Sequence, residues 1–391
     1  MKKIIVIPTL IVSVLLFAAL ASLTAFAATE YELWVNGQQV TSDSLEIACG
    51  EGKATFDPEK SVLTLENANI TEGADKDWLY SGIITFLDDL EIVIKGECFI
   101  TKTGGTGIDS YHQDEEYAFI PHNVKLTGDG KLTIVQDTQY YGYGLYVTGD
   151  LTVDGPTLDI TSAAAGIWVN RKANYNSGKI DIEVTSDNYC GLVLNNGSIT
   201  VDGAEITANA KNAGLLLGND KEKSYLTVNS GKLTLKGAGG IIAEPDPEDT
   251  ENIRKLGYVT VNGGTLTLEG SVESTNVPAD QFTLGQGVKV LYGEIGDNKC
   301  VIGLDTGDVD IPFDDLEDAV WGDANGDGFV TAADIVRLKN HLAGTGVTLS
   351  PGADANGDGT VDSLDVVRLK RFFAEYDYKS GTSSVKLGPN K

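Results

Sequence analysis

Histidine, methionine and cysteine are all scarce in this chain of 391 residues, with three, one and four copies respectively. No Cys-x-x-Cys pair occurs, which removes the usual spacing of a zinc site. Cys49, Cys98, Cys190 and Cys300 are too few and too dispersed for a disulfide scaffold. They allow three pairings, or none if they are buried thiols inside a sheet. Basic residues are also short, 29 against 57 acidic ones, for a net charge of −28. That balance repels nucleic acid and anionic membrane, and suits solubility and divalent cations. Long apolar runs are missing too, apart from the first residues.

There, Met1-Lys2-Lys3 precedes a mainly apolar stretch from Ile4 to Ala21 and the small-x-small site Ala25-Phe26-Ala27. The polar run Thr29-Glu30-Tyr31-Glu32 follows at once, so residues 1–27 read as a secretory signal peptide cleaved after Ala27. No later segment approaches the ~20 apolar residues of a membrane span. The last residues show no wall-sorting signal or lipid anchor. The expectation is an exported chain, not inserted in membrane, whose attachment to a surface is non-covalent.

What is abundant is glycine, 46 residues, and its placement is periodic. A Gly followed by apolar-x-apolar recurs at Gly82, Gly107, Gly144, Gly166, Gly191, Gly214 and Gly240, in steps of 25, 37, 22, 25, 23 and 26 residues. The long step carries an acidic insertion around Asp114-Glu115-Glu116. Between these lie pairs of short alternating strands, such as Leu151-Thr152-Val153 with Leu158-Asp159-Ile160, and Ile199-Thr200-Val201 with Glu205-Ile206. Three short strands per repeat, with Asp-Gly, Asn-Gly or Gly-Gly corners, predict a mainly β fold: a right-handed parallel β-solenoid of about seven coils. An antiparallel sandwich is the rival, since x-Asp-Gly-x also marks hairpins. The glycine opening each third strand suits a tight corner or a positive φ. The expected divisions are a β cap over 28–80, the β-helix over 81–303 and an acidic linker over 304–320. A small all-α module over 321–376 and a flexible tail over 377–391 complete the chain.

The strongest motif is in that module. Asp323-Ala324-Asn325-Gly326-Asp327-Gly328, with Asp334, returns 31 residues later as Asp354-Ala355-Asn356-Gly357-Asp358-Gly359, with Asp365. Calcium is a hard cation that takes six to eight oxygens, and a twelve-residue loop supplies them from positions 1, 3, 5, 7, 9 and 12. The candidate ligands are therefore Asp323, Asn325, Asp327, the Phe329 carbonyl, Thr331 and Asp334, and then Asp354, Asn356, Asp358, the Thr360 carbonyl, Asp362 and Asp365. Two ions are expected. Each loop runs into one helix, on which Ile335, Leu338 and Leu342 recur as Val366, Leu369 and Phe373.

Duplicated loop–helix units without an entering helix, and with Asp at position 12, resemble the dockerin type I family. The resemblance implies docking to a cohesin domain of a scaffolding protein, the arrangement of cellulosomes in anaerobic bacteria. It also implies which residues choose the cohesin: Ala332, Ala333, Lys339 and Asn340 in one half, and Ser363, Leu364, Lys370 and Arg371 in the other. Neither half has the Ser-Thr pair common in clostridial members, which leaves the choice of cohesin open.

For the β region three roles compete. The run Tyr31-Glu32-Leu33-Trp34-Val35-Asn36-Gly37 through Phe56-Asp57-Pro58 to the repeats is similar to secreted carbohydrate-binding-domain proteins of gut anaerobes. In the third strands, Tyr146 and Trp168 hold the middle, outward place in successive coils, beside Tyr140-Tyr141-Gly142-Tyr143. An exposed aromatic pair there is a platform for polysaccharide rings; otherwise the two rings simply pack or cover a loop. The first alternative is a polysaccharide-degrading glycoside hydrolase or lyase. Asp88-Asp89 is the only match to polygalacturonase-like signatures, and Arg171 and Arg254 are the only arginines in the region for a lyase base. The second alternative is a non-catalytic structural or adhesive spacer.

Overall fold

The computed structural model describes residues 27–76, 78–101, 103–137, 142–218, 222–249, 254–304, 320–326, 330–345, 347–377 and 382–388. The expected signal peptide, except Ala27, and linker residues 305–319 lie outside them. The described chain is mainly β, and two helices follow near its C-terminal end.

Alternating apolar residues decide the arrangement, because each strand buries every second side chain. One ladder of parallel strands carries Leu63, Ile92, Leu126, Val153, Tyr175, Val201, Val228 and Val261 in register. A second carries Ile70, Ile100, Ile134, Ile160, Ile182, Ala208, Leu235 and Leu268. A third carries Ile83, Ile108, Leu145, Ile167, Leu192, Leu215 and Ile241. All these side chains meet in one continuous core. The strands from Glu30 to Leu304, apart from a small hairpin at 74–81, belong to one sheet system that nearly closes on itself.

At the glycines that open the third strands, one of the two expected reasons, a positive φ, does not hold. None of the seven has a positive φ. They stack on one another, and a Cβ at Gly144 would stand 2.4 Å from both the Gly166 carbonyl oxygen and Ile160 Cγ2. Close approach of successive strands, rather than a left-handed turn, excludes a side chain there.

The ends are antiparallel. Glu46–Cys49 pairs with Gly52–Asp57, which pairs with Val62–Glu66. At the far end Lys299–Leu304 pairs antiparallel with both Thr265–Thr275 and Val288–Tyr292. These strands occupy the edges that a parallel stack would leave open. The four cysteines are free and buried.

The helices are Ala332–Leu342 and Ser363–Ala374. Leu338, Val366 and Leu369 pack between them with Ala324, Leu349, Ala353 and Ala355. Leu342, expected on the buried face, is the last helical residue and is 44% exposed.

Candidate functional site

In both acidic loops, backbone N–H groups of the described residues turn toward the first carboxylate. Asp323 is buried and its Oδ1 accepts from the Gly326 N–H at 2.8 Å. Asp354, its counterpart, accepts from the Gly357 N–H at 2.7 Å and the Gly359 N–H at 2.9 Å. Gly359 has φ +90°, a region where any side chain is strained. Asp327 and Phe329 lie outside the described residues.

The carboxylates at position 12 are fully buried and reach back across their loops. Asp334 accepts from the N–H groups of Ala324 at 2.9 Å, Asn325 at 3.1 Å and Thr331 at 2.7 Å. Asp365 accepts from Asn356 at 3.1 Å and Asp362 at 2.8 Å. Thr331 and Asp362 are the N-caps of the two helices, and Asp334 and Asp365 complete a capping box in each. Position 12 therefore does two jobs, and an aspartate is short enough for both.

Burial pushes the Asp365 carboxyl up to about 6, against the Asp362 and Asn356 N–H groups that pull it down, while Asp354 and Asp358 add repulsion. Hydrogen bonds from Thr360 and Asn356 hold exposed Asp358 below its ordinary value. Among the described residues no three acidic, His or Cys side chains converge in a metal-holding group. Even so, oxygen-only donors at these spacings, with Asp323, Asp334, Asp354 and Asp365 buried and Asp354 and Asp358 repelling Asp365, fit a hard cation such as calcium.

All eight residues expected to choose a cohesin are exposed: Ala332, Ala333, Lys339 and Asn340 on the first helix, Ser363, Leu364, Lys370 and Arg371 on the second. Val336 and Val367, not among the residues expected to meet a cohesin, occupy equivalent places on the two outer faces and are 57% and 49% exposed. Their signal was available, as apolar residues off the buried stripe. A cavity of about 290 Å³ beside the second loop is lined by Asn356, Asp358, Leu364, Val367, Arg368 and Arg371.

Residues 382–388, placed in the tail by the sequence, return to the module. Val385 is buried, Leu387 packs against the helical core, and the Gly388 N–H donates to the Ala355 carbonyl at 3.0 Å.

The aromatic pair of the β region is not the exposed strip expected. Tyr146 and Trp168 are adjacent rungs and stack at 5.6 Å, outside the main core as predicted. Tyr143 meets both rings edge-on, at 5.4 and 5.8 Å, and Tyr111 meets Tyr146 at 5.5 Å. Tyr146 is only 7% exposed as a result. The cover comes partly from the insertion that lengthens one repeat; Tyr140 and Tyr141 lie outside the described residues. Asp88 and Asp89 are exposed, and Asp89 accepts from Asn123 Nδ2 at 2.8 Å.

A cleft of about 680 Å³ opens over the second ladder, where Glu183, Asn209, Lys236, Glu269 and Lys299 align rung by rung. Lys236 and Lys299 both reach Glu269, at 3.2 and 2.8 Å. Glu183 and Glu269 are three rungs apart, about 14 Å at ~4.8 Å per rung. Paired glycosidase carboxyls stand about 5–9.5 Å apart, so these two do not form such a pair.

Comparison with known families gives two matches. The family described as Dockerin type I domain matches residues 321–374. The family described as Carbohydrate-binding domain-containing protein matches residues 54–287. No curated protein and no solved structure matches the chain.

Proposed function

We propose, for a chain that belongs to the carbohydrate-binding domain-containing protein family and ends in a dockerin type I domain, that it is a secreted, cellulosome-type component that holds polysaccharide. The observation that carries this reading is the presence of both matches on one chain. The parallel ladders are read as a right-handed solenoid of about seven coils, with a cap over 28–80 and an acidic linker over 304–320. Signal cleavage after Ala27 belongs to the same proposal. Among the described residues no helix is long and apolar enough to cross a membrane.

The docking module works through its own side chains. Asp323, Asn325, Asp327, the Phe329 carbonyl, Thr331 and Asp334 would hold one calcium ion, and the equivalent set from Asp354 to Asp365 a second. Bound calcium would neutralise the carboxylates that otherwise repel one another. Asp334 and Asp365 complete the capping boxes of their helices and tie the loops to them. The outer faces, with Val336 and Val367 beside Ala332, Ala333, Lys339 and Asn340 or Ser363, Leu364, Lys370 and Arg371, are the surface offered to a cohesin. Exposed Val336 and Val367 beside the polar Lys339, Asn340, Lys370 and Arg371 match the apolar core and polar rim of a protein interface.

A bridging assay tests the whole reading. Beads coated with cohesins of scaffolding proteins should retain soluble polysaccharide when this protein and calcium are both added. Failure to retain it while the cohesin still captures the protein would remove the carbohydrate half of the proposal.

A further inference from the structure

Two hairpins leave one face of the β region from a shared root. The first pairs Ala74–Lys76 with Leu79–Ser81. The second folds back through a bridge between Gln113 and Phe119, inside the insertion that lengthens the repeat. Asp109, buried between them, accepts from Ser81 Oγ at 3.1 Å and from the Tyr111 N–H at 2.8 Å. Phe86 is the second root: it shares a cluster with Leu79 and stacks on His112 at 4.5 Å.

Each hairpin turns on a large aromatic in the left-handed region, Trp78 with φ +79° and Tyr117 with φ +64°. Glycine, asparagine or aspartate normally holds such positions, because a bulky side chain is strained there. Neither ring recovers that strain by packing: Trp78 is 91% exposed and Tyr117 81%. Tyr80 and Phe119 stand exposed on the same two hairpins, at 52% and 39%. Two separate turns with the same costly choice, on one shared root, point to a surface that serves contact rather than folding.

Charge narrows the ligand. Asp75, Asp114, Glu115 and Glu116 are exposed on these two hairpins, while Lys76 lies over the Trp34 ring at 5.6 Å, on a chain of net charge −28. Such a rim repels phosphates, uronates and nucleic acid. Flat aromatic faces with an acidic rim suit the apolar C–H faces and hydroxyl edges of uncharged sugar rings. We propose that Trp78 and Tyr117 are stacking contacts for a neutral polysaccharide, on the two hairpins rooted at Asp109. This rests on the reading of the β region as carbohydrate-binding.

The test is affinity electrophoresis of the full chain through gels containing hydroxyethylcellulose, xyloglucan, galactomannan or polygalacturonate. The native protein should be slowed by at least one neutral polymer and not by polygalacturonate alone. The double variant Trp78→Gly/Tyr117→Gly should lose at least about tenfold in affinity. Its melting temperature should be unchanged or higher, because glycine relieves both positive φ values. A purely structural pair would instead lower it. Equal retardation of native and double variant overturns the inference while leaving carbohydrate binding intact. Retardation by polygalacturonate alone overturns the neutral ligand class. No retardation in any gel, with cohesin capture intact, overturns both this inference and the carbohydrate reading.

Discussion

Gly388 lies flat against the indole of Trp321, so close that a Cβ on it would stand 2.8 Å from Trp321 Cγ. That contact joins the two ends of the helical module and explains why residues beyond 376 belong to it. A module of this size sits near the limit of what its core alone can stabilise, so a fastening of its ends matters. Gly388→Val should lower the melting temperature of the calcium-loaded module, a loss of about 1–2 kcal/mol. Differential scanning calorimetry of the full chain checks it.

Asp334 and Asp365 should be the costliest single positions in the module. On replacement by Ala each loses the N3 half of its capping box, its hydrogen bonds from loop N–H groups, and a candidate calcium ligand as well. If calcium stands at about a thousand times its dissociation constant, each site contributes roughly 4 kcal/mol. Either single variant should lose one of two calcium-dependent increments in helical circular dichroism, and the double variant both.

The outer faces should carry cohesin affinity without carrying the fold. Val336→Asp/Val367→Asp places charges on exposed positions and should leave the calcium-dependent helical spectrum unchanged. Cohesin affinity should fall by at least about tenfold, measured by titration calorimetry.

The Asp109 carboxyl has an ordinary value of 3.8, and burial pushes it up to about 6 against hydrogen bonds from Tyr111, Ser81 and Thr106. A folded-state value above the unfolded one favours folding below about pH 4, and that gain is lost as pH rises through about 6. The difference is of order 3 kcal/mol. Between pH 4 and pH 7 native protein should therefore lose melting temperature relative to Asp109→Asn, which lacks this titration. Parallel curves for the two proteins would contradict the assignment.

Burial of Tyr146 changes what its removal should do. An outward, exposed ring could be cut away with little effect on stability, but this one packs against Tyr111, Tyr143 and Trp168. Tyr146→Ala should cost about 3 kcal/mol or more, seen as a lower melting temperature.

These outcomes trace how far the sequence could be read. The acidic loops were legible because their donors lie within twelve residues, so spacing alone fixes which of them share a loop. The inward ladders were legible from period-two alternation, which says which way Leu145 and Tyr146 point. Alternation does not say what lies over an outward side chain. The cover on Tyr146 comes from Tyr111 and Tyr143, and only the 37-residue step from Gly107 to Gly144 marked an insertion there. The same limit hid Trp78 and Tyr117, since a positive φ on an aromatic residue leaves no trace in composition or period. The third-strand glycines were recognised as special, but the reason lies in their neighbours on the adjacent strand of the ladder.

The central claim is that calcium organises the docking module and that docking depends on it. The most direct measurement is isothermal titration of the full-length protein with a cohesin, first in millimolar calcium and then in excess EGTA. Tight binding in calcium, lost in EGTA and restored when calcium is added back, is the predicted result. Undiminished cohesin affinity in EGTA would contradict it.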